Sequence, residues 1–135
     1  MVLIQWNSEL EIGNPAIDAQ HKKWVGMLNA LNEAMIEGKG REILGRLLSE
    51  LIDYTAVHFS TEEHLMQVRL YPDRDQHARQ HAELKATVGK LQRDFAEDRL
   101  MITIEVMRFL KDWLYQHIKN TDKRFGEFLA SKPAS

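Results

Sequence analysis

Apolar residues recur at spacings of three and four along most of this chain, which is the period of the buried face of an α-helix. Trp24, Leu28, Leu31 and Met35 form one such stripe. The periodicity predicts four helices, over about residues 18–37, 41–68, 73–96 and 101–129. Because the connections between them are short, consecutive helices should pack antiparallel. We therefore predict an all-α fold: an antiparallel up-down-up-down four-helix bundle, preceded by an N-terminal arm of residues 1–16.

Turn-forming residues separate the predicted helices. Gly38 and Gly40 follow the first helix, Pro72 follows the second, and Asp73 is a candidate N-cap of the third. Ile43 and Phe109 fall on or beside the apolar stripes of the second and fourth helices. We therefore expect both side chains to face the interior of the bundle.

The composition narrows the class of protein. A length of 135 residues predicts a single domain spanning 1–135. The net charge of −2 is no reason to expect nucleic acid or an anionic membrane as a partner, and no run approaches the roughly 20 apolar residues of a membrane span. No signal peptide is apparent, so a cytoplasmic location is expected. Since the chain has no cysteine, any metal must be held by nitrogen and oxygen.

Histidines occur in all four predicted helices, at positions that suit a metal site. His58 and Glu62 are four residues apart, as are His77 and His81, and a four-residue step leaves two side chains within about 40° of each other. Each pair continues an apolar stripe, and so does His117. Imidazoles and carboxylates that face inward from the helices of a bundle can hold metal ions in its core.

Two spacings depart from this regular pattern. His117 and Asp122 are five residues apart, which separates them by about 140° in a regular α-helix. We predict that the helix widens there into a π-bulge, a feature that tends to occur at functional sites. His64 lies two residues after Glu62, about 200° around the helix, and is expected to be solvated.

The ordered set His21, His58-x-x-x-Glu62, His77-x-x-x-His81, His117-x-x-x-x-Asp122 resembles the ligand signature of the hemerythrin family, and in particular its single-domain bacteriohemerythrins. The resemblance implies a non-haem centre of two iron ions with a bridging oxo or hydroxo group. It also implies the ligand assignment, with His77, His81 and His117 on one iron, His21 and His58 on the other, and Glu62 and Asp122 as bridges.

The resemblance further implies reversible binding of dioxygen, for transport, storage or buffering, at the one open position on the iron that has two histidines. Nitric oxide and small anions are further ligands of that position. Apolar residues should line it, and the candidates are Leu28, Trp113, Leu114 and Ile118. We expect no enzymatic activity, because no Glu lies three residues before a His, the pair that ferritin-like di-iron sites use.

Other functions are compatible with the same ligands. The domain could act as an oxygen or redox sensor through a separate protein partner, as a di-iron oxidase or peroxidase, or as a hydrolase that uses zinc. Two positions also differ from the residues expected in the family. Trp24 is bulkier than an aliphatic residue there, and Phe125 stands where family members often carry Tyr.

Overall fold

The structure is a computed structural model that describes residues 3–131, and all regular secondary structure in that range is helical. Residues 1–2 and 132–135 of the predicted domain lie outside the described residues. The elements are a 3₁₀ turn at Ser8–Leu10, α1 at Pro15–Ile36, α2 at Arg41–Val68, α3 at Arg74–Ala96, α4 at Ile104–Gln116, a π-helical segment at His117–Asp122 and α5 at Lys123–Ser131.

The helices pack as a bundle of four. Helix α2 lies against both α1 and α3, and α1 also contacts α4. The fourth helix of the bundle is formed by α4, the π-helical segment and α5, which follow one another without a break. The predicted all-α four-helix bundle is therefore confirmed. None of the described helices is both long and apolar enough to cross a membrane.

Local capping explains where the helices begin. Helix α1 starts at Pro15, earlier than predicted, because the side chain of Asn14 accepts a backbone N–H at 3.1 Å and Pro suits the first helical position. The fourth helix begins only after Thr103, whose hydroxyl caps it at 3.3 Å. Asp73 stands at the N-cap position of α3 as predicted, but its side chain makes no capping hydrogen bond.

Two of the expected core residues are at the surface. Ile43 is 38% exposed and Phe109 is 43% exposed, so the prediction that both face inward was wrong. In the fourth helix the buried stripe runs through Met107, Leu110 and Leu114, which are spaced by three and four residues. Phe109 lies about 100° away from Leu110 around the helix, and this places it at the edge of the stripe.

The N-terminal arm is fastened to the bundle at both of its ends. Near its start, the Asn29 side chain of α1 accepts from the backbone of Ile4 at 2.9 Å and donates to its oxygen at 2.9 Å. Near its end, the backbone of Ile12 donates to Asp18 at 2.8 Å. Trp6, between them, is partly buried against the core. The arm thus covers the part of the bundle where the fourth helix changes to π geometry, which its 3₁₀ turn contacts.

Gly126→Ala is expected to destabilise the protein by about 3 kcal/mol, because a Cβ there would overlap the backbone oxygen of Ile12 where the arm crosses the fourth helix. The matched control is Gly26→Ala, since Gly26 is exposed on α1 with nothing near its missing Cβ. That change should stabilise by about 0.5–1 kcal/mol. The free energy of unfolding of both variants can be measured by chemical denaturation. If the two substitutions change it equally, the arm does not lie against the fourth helix at Gly126.

Candidate metal centre

Five histidines and two carboxylates meet in the interior of the bundle. They are His21, His58, Glu62, His77, His81, His117 and Asp122, and each is at most 4% exposed. Their donor atoms form two groups, and within each group the atoms lie within 4.8 Å of one another. The larger group contains Glu62, His77, His81, His117 and Asp122, and the smaller contains His21, His58, Glu62 and Asp122. The two carboxylates therefore belong to both groups.

Helix geometry brings these side chains together from four directions. His21 comes from α1, His58 and Glu62 lie one turn apart on α2, and the α3 pair likewise lies one turn apart. The π-helical segment begins at His117 and ends at Asp122, so the predicted π-bulge is confirmed. Because a π-helix is closed by bonds between residues five apart, it brings this pair to one side, with Nε2 and Oδ1 at 3.1 Å.

Most of the donor atoms at the centre have no hydrogen-bond partner among the described residues, the exceptions being Nε2 of His81 and of His117, which lie 3.1 Å apart. The buried atoms without a partner include Nε2 of His21, His58 and His77 and both oxygens of Glu62 and of Asp122. Buried polar groups are almost always hydrogen-bonded, and a buried charge left unpaired is strongly unfavourable. Buried polar atoms that converge on one place, most of them without a hydrogen-bond partner, are expected where a cation belongs, so the residues fit a metal site.

The spacing of the donor atoms also fits metal coordination. The Nε2 atom of His77 lies 2.8 Å from one oxygen of Asp122, and that of His21 lies 3.1 Å from the other. The Nε2 atom of His58 lies 3.3 Å from Glu62. Neighbouring ligands of a six-coordinate ion with bonds of about 2.1 Å are about 3.0 Å apart. The distances are therefore those of ligands that share one ion.

The electrostatics favour a cation in the same place. Burial would raise the pKa of Glu62 and of Asp122, but the surrounding histidines hold the pKa of each carboxyl well below its usual range. Burial would also lower the pKa of His21 and His77, but the two carboxylates raise both pKa values to about 9. The site thus carries two negative charges in the core, which metal ions or protonated imidazoles can neutralise.

Polar side chains outside the cluster orient three of the histidines. The Nδ1 atom of His58 is 2.7 Å from Oε1 of Gln20, and that of His81 is 2.8 Å from a carboxylate oxygen of Glu63. Each Nδ1 must carry the proton to donate to these acceptors, which leaves Nε2 free to bind a metal. The outer hydrogen bonds therefore select the tautomer that metal binding needs.

The third such contact is made by Gln80. Its Oε1 accepts from Nδ1 of His117 at 3.0 Å and from the hydroxyl of Thr121 at 2.9 Å. Neither Gln20 nor Gln80 was assigned a role from the sequence. A polar residue next to a ligand histidine is the only signal in the sequence, and it is too common to identify such a residue alone.

Gln80→Leu is expected to weaken metal binding by about 10- to 100-fold, because loss of an acceptor behind a ligand histidine typically has that effect. The affinity can be measured with Co²⁺ by competition against a coloured chelator. Gln76→Leu is the matched control, since Gln76 is exposed one turn earlier on the same helix. A wild-type affinity for the Gln80 variant would show that this hydrogen bond does not support the site.

Apolar residues enclose a small cavity beside the cluster. Of the four pocket candidates, Leu28, Trp113 and Leu114 line a narrow cavity of about 20 Å³, whereas Ile118 is fully buried and does not line it. A space of that size holds about one small molecule. His64 is exposed, as expected.

An open cleft lies on another side of the cluster. It has a volume of about 480 Å³ and reaches His117 between α3 and α4, where polar side chains such as Gln80, Gln116 and Asn120 line it. Since His117 belongs only to the larger donor group, the cleft approaches the site from the side that has three histidines.

Comparison with known families identifies this arrangement. The sequence model described as "Hemerythrin HHE cation binding domain" matches residues 13–129. The chain belongs to the hemerythrin family. The matched range contains all seven residues of the buried cluster, so the donor set coincides with a cation-binding domain.

Relatives named bacteriohemerythrin align with nearly all of this hemerythrin chain. The bacteriohemerythrin of Methylococcus capsulatus is 35% identical over 97% of this chain and 100% of its own length. That of Stenotrophomonas maltophilia is 34% identical over 94% of this chain and 82% of its own. A crystal structure of wild-type hemerythrin superposes with a TM-score of 0.89 at 33% identity, over 93% of this chain and 96% of that one. The His and carboxylate cluster of this chain thus fits a hemerythrin di-iron site.

Proposed function

We propose that this hemerythrin binds dioxygen reversibly at a centre of two iron ions, and so carries, stores or buffers it. The observation that supports this proposal is that the two donor groups contain different numbers of histidines. Both share Glu62 and Asp122, but one adds three histidines and the other adds only His21 and His58. Two ions held in this way would not be equivalent, and the one with fewer protein ligands would be open to a small molecule.

Counting ligands supports a single open position. Three histidines and two carboxylates supply five donors, while two histidines and the same carboxylates supply four. One solvent-derived oxygen shared by both ions would raise these numbers to six and five. Since a coordination number of about six is common for ions with nitrogen and oxygen ligands, one position remains, on the side of His21 and His58.

The surroundings of the two sides also differ in a way that suits gas binding. The open cleft, which polar and aromatic side chains line together, approaches His117 on the side with three histidines. The small cavity is apolar apart from a few polar atoms, and Trp113, which stacks on His117, borders it together with Trp24. On the side with two histidines, the indole of Trp24 lies against His58. The open position would therefore face apolar groups and be shielded from water. Dioxygen is small and uncharged, so it can enter such a place without the large desolvation penalty of an ion.

We also propose that the site binds dioxygen without enzymatic turnover. Five of its seven candidate ligands are histidines. A histidine binds metal as a neutral imidazole, which stabilises highly oxidised iron less than a carboxylate does. We propose a cytoplasmic location for this activity, because a chain without cysteine is suited to a reducing compartment.

The experiment is an anaerobic reduction of the iron-loaded protein followed by titration with dioxygen, with the optical spectrum and iron content read on one sample. We expect two irons per chain, a colourless reduced form, and a visible band that appears with dioxygen and disappears on deoxygenation. Steady consumption of dioxygen with an added reductant would contradict the proposal in favour of an oxidase. Preferential retention of zinc, with no coloured adduct from iron, would also contradict it.

A further inference from the structure

Three aromatic side chains form a layer between the metal ligands and the apolar interior of the bundle. The rings of Trp24 and Phe59 meet edge to face at 5.4 Å, and those of Phe59 and Trp113 lie 6.1 Å apart. Phe59 stacks on His81 at 3.7 Å, and Trp113 stacks on His117 at 4.4 Å. Two members of this aromatic layer thus cover the side of the cluster that has three histidines.

Trp24 covers the other side. Its ring centre lies 5.2 Å from that of His58 and 6.3 Å from that of His21, the two histidines found only in the smaller donor group. Trp24 is 2% exposed and also lines the cavity of about 20 Å³. The indole therefore separates the apolar cavity from the ligands of the open side.

A hydrogen bond fixes the indole in this position. The Nε1 atom of Trp24 donates to the hydroxyl of Thr55 at 2.9 Å, and that hydroxyl donates to the backbone oxygen of Leu51 at 2.7 Å. All of these atoms are buried, so turning the ring away would leave an unpaired N–H in the core, which is unfavourable. Thr55 stands one turn before His58 on α2, which ties the indole to the helix that supplies that ligand.

We propose that Trp24, held by Thr55, determines which ligands reach the open side of the metal centre, by admitting diatomic molecules and retarding larger anions. The inference rests on the proposed function and adds a residue that sets its selectivity. An anion such as azide is longer than dioxygen and must shed water before it passes an apolar ring. A fixed indole therefore slows azide through both size and desolvation.

The test is the rate of azide association with the oxidised, iron-loaded protein, followed by the growth of its absorption band in stopped flow. Trp24→Leu should raise this rate by about 10-fold or more, because it removes the ring, while dioxygen association should change by less than about 3-fold. Thr55→Val keeps the ring and removes its acceptor, and it should raise the azide rate by about 3-fold. Trp24→Phe, which keeps an aromatic ring but loses the N–H, serves if the leucine variant does not fold.

A second readout does not depend on iron. In zinc-loaded, nitrogen-labelled protein, the indole N–H of Trp24 should exchange slowly with solvent, and Thr55→Val should speed this exchange by at least about 10-fold. Leu31→Ala is the matched control, since Leu31 is buried on the same helix face two turns away and does not line the cavity. An azide rate that is unchanged in both Trp24 variants, or raised equally by Leu31→Ala, would overturn the inference.

The two proposals can fail separately. Azide binds the oxidised protein without any need for reversible dioxygen binding. If Trp24→Leu accelerates azide but the reduced wild-type protein shows no reversible dioxygen band, the selectivity inference stands and the proposed function fails. If the dioxygen band is reversible but the azide rate does not change when Trp24 is replaced, the proposed function stands and the selectivity inference fails.

Discussion

Removal of the metals by chelation is expected to lower the free energy of unfolding by at least about 4 kcal/mol, the value for a ligand present at roughly a thousand times its Kd. Seven polar side chains occupy the core of the bundle, and several of their atoms have no hydrogen-bond partner. Protonation of His21 and His77, whose pKa values are raised to about 9, could balance the charge of the two carboxylates without metal, but it would leave Nε2 of His58 buried without a partner. At about 3 °C per kcal/mol for a domain of this size, the unfolding midpoint should fall by about 12 °C or more.

The measurement is thermal unfolding by circular dichroism before chelation, after it, and after metal is returned. Two histidines on α2 supply a matched pair of variants. His58→Ala removes a buried ligand and should abolish most of the metal-dependent gain, whereas His64→Ala removes an exposed side chain and should keep all of it. Equal midpoints with and without metal in the wild-type protein would mean that the cluster does not bind metal in the folded state.

The bundle and the ligand pairs within single helices could be predicted because both depend on spacing within a helix, whereas the full set of seven residues was implied by the resemblance to the hemerythrins. Within an α-helix, a step of four residues places His58 beside Glu62, however that helix packs against its neighbours. The π-bulge could be predicted for the same reason, since two inward residues five apart cannot both reach the interior from a regular α-helix. Ile43 and Phe109 were misjudged because they lie beside a stripe, where packing of the neighbouring helices decides whether a side chain is covered.

Contacts between helices could not be predicted in this way. Gln20 on α1 contacts His58 on α2, and Gln80 on α3 contacts His117 at the start of the π-helical segment, and both distances depend on how the helices pack. The hydrogen bond from Trp24 to Thr55 likewise joins two helices. From the sequence, Trp24 was only a bulky residue near a ligand. The structure adds its contact with both histidines of the smaller donor group.

The second large effect is expected from Glu62→Gln, which should reduce the metal content from two ions per chain to one or fewer. Glu62 is fully buried and belongs to both donor groups, and its oxygens lie 3.2–3.5 Å from the Nε2 atoms of four histidines. An amide is neutral and offers one oxygen, so it can neither bridge two ions through two oxygens nor neutralise their charge. The content can be measured by elemental analysis after anaerobic loading with Fe²⁺ and gel filtration.

Glu63→Gln is the control that separates loss of the bridge from a general effect of replacing a carboxylate on α2. The Glu63 side chain is 36% exposed, and it accepts from Nδ1 of His81 without belonging to either donor group. An amide oxygen can still accept that proton, so the variant should retain two ions. If the Glu62→Gln variant still binds two ions, the prediction that Glu62 bridges them is wrong. If both variants lose metal equally, bridging by Glu62 is not what holds the two ions. Retention of both ions by Glu63→Gln together with loss by Glu62→Gln would show that holding the pair of ions requires the carboxylate of Glu62, one of the two that both donor groups contain.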